Sequence, residues 1–319
     1  MGADSNAKTQ PTNGQRWTRR EVLLAGAALA AFPAAAQQRR PTNFQLACMT
    51  LPYSNFTFER ALQGIVKAGY RYVAWGTRHR DGSGERRDVI EVSAPASRAK
   101  ELSGQCRDLG LTPLMMFSNI YVGVENSVQA HTRRIEQAAA AGIPMLLTFG
   151  EIKPGGYPQW IIDLKKLGPI ARQNGVLVVI KQHGGNTATG RDCAKIIAEV
   201  ADEGVRMCYD AGNVLDYNND DPIPDIEACW RDIRAFCVKD HRNWPEDQDC
   251  GPGFGEIDHY RLLTPVAYTG LDMPMAFENI FEPLAPRPET PEGVDDLARR
   301  AREYVETVVR GLHAKPPAA

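Results

Sequence analysis

The sequence predicts a single α/β domain folded as a (β/α)8 TIM barrel. Three observations predict it. Eight short apolar runs, rich in β-branched and aromatic residues, alternate with amphipathic segments of helical length, the pattern of repeated βα units around a parallel sheet. The helical segments repeatedly end in glycine, and the long polar insertions follow strands, as expected where functional loops extend from one end of a barrel.

Taken in order, the strand candidates are Phe44 to Met49, Tyr70 to Trp75, Pro113 to Phe117, Met145 to Phe149, Val176 to Lys181, Val205 to Asp210, Ala235 to Lys239 and Met273 to Glu278. Helices are expected over Thr57 to Ala68, Ser97 to Leu109, Ser127 to Ala141, Trp160 to Asn174 and Asp192 to Asp202, with Glu292 to Leu312 closing the chain. Gly69, Gly110, Gly142, Gly175, Gly204 and Gly270 stand where a left-handed helix C-cap would be expected. Eight strands allow closure into a barrel, whereas an open doubly wound sheet has fewer units and often a Gly-rich phosphate loop, which is absent after the first strand. The insertions Gly76 to Ala96, Asn213 to Ile223 and His241 to Gly255 then belong to the catalytic face.

The chain has 319 residues, of which 43% are hydrophobic and 24% charged, the composition of an ordinary globular protein. One α/β barrel of about 250 residues fits within it. Ahead of the barrel, Thr18-Arg19-Arg20-Glu21-Val22-Leu23 precedes an Ala-rich apolar run ending at Ala34-Ala35-Ala36, which reads as a twin-arginine export signal cut near Ala36. The expected organisation is a signal over 1–36, a linker over 37–43, the barrel over 44–312 and a tail over 313–319. The expected partners are the twin-arginine (Tat) export machinery and a small carbohydrate, and the expected location is the periplasm. The seven cysteines have no spacing that identifies a disulfide, and Cys48, Cys208 and Cys237 lie in apolar runs as buried thiols. A formal net charge of -2 argues against a general nucleic-acid binder.

Chemistry enters at the strand ends. Five successive apolar runs finish in ionisable residues: Glu151, Lys181, Asp210, Lys239-Asp240 and Glu278. A charge at the end of a buried strand is costly to desolvate unless it is paired, metal-bound or solvated in a cavity, so these groups should converge on one mouth. Side chains alternate along a strand, and this parity turns Lys239 to the face of Cys237 while Asp240 is left to orient a loop or bind Arg242.

Lys181-Gln182-His183-Gly184-Gly185, Tyr209-Asp210-Ala211-Gly212-Asn213, Cys237-Val238-Lys239-Asp240 and Gly253-Phe254-Gly255-Glu256-Ile257-Asp258 occur in that order. With these motifs the chain resembles the xylose-isomerase-like TIM-barrel superfamily of sugar isomerases and epimerases over about Phe44 to Leu312. The resemblance implies a divalent metal held by Glu, Asp, His and Glu from four strand ends, the two glutamates moving protons at a substrate carbon. Asp210 matches the sixth-strand aspartate and Glu278 the eighth-strand glutamate, but Lys181 stands at the fifth-strand glutamate and Cys237 at the seventh-strand histidine.

An ammonium neither coordinates a cation nor abstracts a proton. Two arrangements restore a working site. In one, His183, Asp210, Glu278 and Glu151 hold Mn, Zn or Mg, with His241 as a further donor. In the other no metal is used: Lys181 or Lys239 stabilises an enolate while His183 or Glu278 moves the proton. Asn213, Trp75 and Trp244 are candidate substrate contacts, Trp75 also being a candidate for core packing. Arg78-His79-Arg80 is a candidate for holding an acidic group. The expected activity is isomerisation or epimerisation of a sugar or keto-sugar; the alternatives are a lyase that cleaves 3-keto glycosides by β-elimination and a sugar-binding protein without turnover. Endonuclease chemistry is disfavoured because most of the six histidines lie away from the strand ends.

Overall fold

The computed structural model describes residues 40–151 and 156–314. The twin-arginine segment and the linker up to residue 39 lie outside the described residues, as does the end of the tail. Among the described residues twelve strands are formed: β1 (Asn43–Met49), β2 (Tyr72–Trp75), β3 (Arg78–Arg80), β4 (Arg86–Asp88), β5 (Thr112–Phe117), β6 (Met145–Thr148), β7 (Leu177–Lys181), β8 (Val205–Tyr209), β9 (Ile233–Val238), β10 (Asp240–Arg242), β11 (Gln248–Cys250) and β12 (Asp272–Phe277). Eight of them close a parallel barrel in the order β1-β12-β9-β8-β7-β6-β5-β2, so the predicted (β/α)8 architecture is observed. The remaining four pair as antiparallel hairpins, β3 with β4 and β10 with β11, within two of the insertions expected on the catalytic face.

The α-helices of the described residues are α1 (Phe58–Lys67), α2 (Ala96–Asp108), α3 (Ser127–Ala141), α4 (Tyr157–Gln173), α5 (Gly190–Val200), α6 (Ala211–Asn218), α7 (Pro222–Cys229), α8 (His259–Leu263) and α9 (Pro291–His313). Local chemistry starts several of them. Thr57, Asp210 and Thr290 accept hydrogen bonds from the first-turn backbone of α1, α6 and α9, and Thr189 forms a capping box with Asp192 on α5. Gly142 takes the left-handed conformation after α3, as expected. Gly204 does not. Ala201 is the left-handed residue after α5 (φ 54°), and Gly204 instead permits close approach, since a Cβ there would lie 2.1 Å from the Gly168 carbonyl oxygen.

Apolar side chains fill two regions. One lies between the strands and the surrounding helices; the other fills the barrel with Met49, Ala74, Met115, Leu147, Val179, Cys208, Ala235 and Ala276. Trp75 belongs to the first: it is 1% exposed and packs edge-on against Phe58. The substrate-contact expectation for Trp75 is therefore replaced by core packing. The inner residues set the parity of the strand ends, because Val179 leads to Lys181, Cys208 to Asp210, Ala235 to Cys237 and Lys239, and Ala276 to Glu278 in steps of two.

Candidate active site

That parity brings four strand ends together. The Lys181 ammonium lies 2.8 Å from each carboxylate oxygen of Glu278 and 3.1 Å from Asp210 Oδ2, with Cys237 Sγ at 3.7 Å. The Cys237 thiol donates to Glu278 Oε2 at 3.2 Å. Lys181 also faces the Phe117 ring, 5.5 Å from its centroid. Asp210 is held from the other side: its amide donates to Gln182 Oε1, its Oδ1 caps α6 through the Asn213 amide, and Asn213 Nδ2 donates to the Gln182 carbonyl.

The electrostatics follow from burial and pairing. Burial pulls the Lys181 pKa down, but the Glu278 and Asp210 carboxylates beside it carry it well above the ordinary value. Burial also pushes the Cys237 thiol well up, so it stays neutral and the two carboxylates supply the countercharge. Burial raises Glu278, yet Lys181 and Lys239 outweigh it and bring the carboxyl down to about 2. For Asp210 burial wins over the two lysines and raises the pKa. Lys239 is buried, pairs with Asp249, and is likewise raised because Asp210 and Glu278 outweigh its desolvation. Both lysines are therefore ammonium ions at neutral pH.

A cavity of about 410 Å³ opens above this cluster. Lys181, His183, Asn213, Lys239 and Glu278 all line it. His183 reaches it beside the Phe149 ring, 4.3 Å between centroids, and its Nδ1 donates to the Gly150 carbonyl at 3.0 Å. This tautomer leaves Nε2 as the ring's proton acceptor. Burial, with Lys181 nearby, lowers the His183 pKa, so the ring is neutral at pH 7.

The remaining expectations fare differently. Glu151 is exposed and lies outside both the cavity lining and the acidic cluster. Trp244 is 76% exposed and does not line the cavity. His241 bonds Asp249 through Nδ1. Asp240 orients a loop, accepting from the Gly253, Ile257 and His241 amides, whereas Arg242 bonds the Trp244 carbonyl. In the Arg78-His79-Arg80 run, Arg78 pairs with Asp88 and His79 is buried between Phe56 and Thr50. Sequence reasoning missed Arg86, Tyr217, Asp249 and Arg287 in the lining. Of these, Arg86, Tyr217 and Asp249 sit in insertions already assigned to the mouth, which was the available signal.

Ligand atoms of Asp210, Cys237 and Glu278 lie within 4.8 Å of one another, a spacing that could hold a cation. The Lys181 ammonium already lies within 2.8 to 3.7 Å of all three. A divalent ion at about 4 Å from Nζ would meet roughly 8 kcal/mol of repulsion at an effective dielectric of about 20. The ammonium thus stands where a cation would, and neither His183 nor Glu151 joins the converging ligand atoms, so the expected set of His183, Asp210, Glu278 and Glu151 does not assemble around a metal.

The chain belongs to the xylose isomerase-like TIM barrel family, whose pattern it matches over residues 62–304. A comparison with curated proteins found no match. Similar solved structures include a xylose isomerase-like TIM barrel protein from Mycobacterium smegmatis in complex with magnesium, with 16% identity, a TM-score of 0.65, and coverage of 86% of this chain and 97% of that one. An L-ribulose 3-epimerase is 12% identical with a TM-score of 0.65, covering 84% of this chain and 95% of that one. A 3-keto-D-glucoside 4-epimerase from E. coli is 12% identical with a TM-score of 0.63, covering 83% and 100%.

Proposed function

We propose that this protein is a carbohydrate isomerase or epimerase that forms an enediol or enolate from a carbonyl sugar, with the Lys181 ammonium in the role of electrophile. The carrying observation is the buried ammonium held by Glu278 and Asp210 at the base of a cavity whose wall presents neutral His183. The substrate carbonyl oxygen accepts from Lys181, His183 Nε2 takes the adjacent C–H proton, and the released electron pair forms the C=C bond while charge gathers on the oxygen beside Lys181. Return of the proton to the other face of the same carbon epimerises; return to the neighbouring carbon, with the hydroxyl proton passing to the former carbonyl oxygen, isomerises. Glu278, with a carboxyl near 2 and both oxygens on Lys181, is a weak base and serves to hold the ammonium. Expulsion of a β-substituent from the same intermediate gives the lyase reaction, which product analysis distinguishes.

The test is α-proton exchange. The purified protein is incubated in deuterium oxide with aldoses, ketoses and 3-keto glycosides, and C–H loss is followed by NMR. Exchange with at least one substrate is expected, falling about 10²- to 10³-fold in Lys181→Met, the loss typical of removing an oxyanion donor. Undiminished exchange in that variant, or sugar binding with no exchange in the wild type, overturns the proposal.

A further inference from the structure

The cavity has two electrostatic zones. At its base, Lys181 is matched by Glu278 and Asp210, and Lys239 by Asp249. At its rim stand Arg86, on the β3–β4 hairpin, and Arg287, in the loop after β12. Among the described residues neither has a carboxylate within ion-pair distance. Arg86 donates only to the neutral Asn55 side chain, at 2.9 Å, and Arg287 lies over the Phe281 ring, 4.5 Å from its centroid. The neighbouring Arg78 and Arg87 are by contrast paired, with Asp88 and with Asp81 and Glu85. The rim therefore carries uncompensated positive charge on a chain whose net charge is -2.

We infer that the substrate is an anionic sugar, with its carbonyl end at Lys181 and a carboxylate or phosphate at the rim between Arg86 and Arg287. This rests on the proposed reading of the cavity as the substrate pocket. A guanidinium stacked on an aromatic face keeps its N–H edge available, and planar forks of donors match the oxygens of a carboxylate or phosphate. Neutral hydroxyls of the sugar would then meet the charge-balanced interior, including Asn213 and Asn279.

The experiment compares binding of D-glucose, D-glucuronate, D-glucose 6-phosphate and inorganic phosphate to the purified protein by calorimetry at fixed ionic strength. At least one acidic hexose should bind about 10- to 100-fold more tightly than glucose, the gain expected of one charge-assisted contact. The preference should collapse in Arg86→Gln/Arg287→Gln, both exposed positions. Whether the uronate or the hexose phosphate gains more identifies the anionic group. Equal affinity for glucose, a preference untouched by the double substitution, or no binding of any anionic probe would overturn the inference. Failure of the proposed reaction instead appears in the deuterium-exchange assay and leaves this comparison unchanged.

Discussion

Replacing Lys181 by glutamate tests whether its ammonium occupies the place of a cation. In the native cluster the ammonium is 2.8 Å from Glu278 and 3.1 Å from Asp210. Lys181→Glu removes about 8 kcal/mol of repulsion toward a divalent ion and adds a fourth donor to Asp210, Cys237 and Glu278, a mixed oxygen and sulfur set that suits zinc. Three adjacent buried carboxylates should leave the metal-free variant unstable, and zinc should restore it. At about 100-fold excess over Kd the stabilisation is about 3 kcal/mol, or roughly 6 °C in melting temperature. Thermal melts with and without zinc, together with elemental analysis, provide the assay; Lys181→Gln serves as a second variant that removes the charge without adding repulsion. Stoichiometric metal in the purified wild type that disappears in Asp210→Ala would refute the reasoning, as would variants whose melting ignores zinc while the wild type responds.

Glu278 should contribute acid-sensitive stability. Its folded pKa of about 2 lies below the ordinary 4.5, so about 3 kcal/mol is present above pH 4.5 and lost as pH falls toward 2; denaturant melts of Glu278→Gln should show a flatter dependence through that window. Asp210 acts with the opposite sign, because its raised pKa favours the acid side. For His183, the pKa is depressed below 6.5, so kcat/KM should hold level at neutral pH and fall only as the solution becomes more acid. His183→Gln should lower the plateau by about 10²- to 10⁴-fold, measured on the first substrate found. Trp75→Ala should cost about 3 to 5 kcal/mol in denaturant melts, whereas Trp244→Ala at its exposed hairpin should change stability by no more than about 0.5 kcal/mol.

The barrel was legible because each unit repeats the same local rules: a β-rich run, a turn, an amphipathic helix and, in several places, a glycine. The cluster at its mouth was legible for a related reason. Alternation along a strand carries inward-facing Val179, Ala235 and Ala276 to Lys181, Cys237, Lys239 and Glu278 without any tertiary knowledge. Arg287 was not, because it arrives on the loop between β12 and α9, and Arg86 was legible only as part of an insertion, because the paths of a hairpin and a loop depend on what they pack against. The same limit explains Gly204, where a close approach to Gly168 looks in sequence like one more helix cap. Glu151 followed an apolar run just as Glu278 did, but the chain has left β6 by then and the parity no longer applies.

The last barrel strand has a bearing on how the molecule matures. β1 and β12 pair Asn43 with Asp272, joining opposite ends of the barrel sequence, and β12 leads directly to Glu278. Until this strand docks, β1 keeps an unpaired edge and Lys181 lacks the carboxylate that grips it at both oxygens. Sealing the sheet and neutralising its buried cation are consequently one late folding event of high sequence separation. A chain stopped short of residue 272 would present both an adhesive edge and a stranded charge, so partial products of synthesis should be captured by proteases or aggregate instead of lingering as idle barrels.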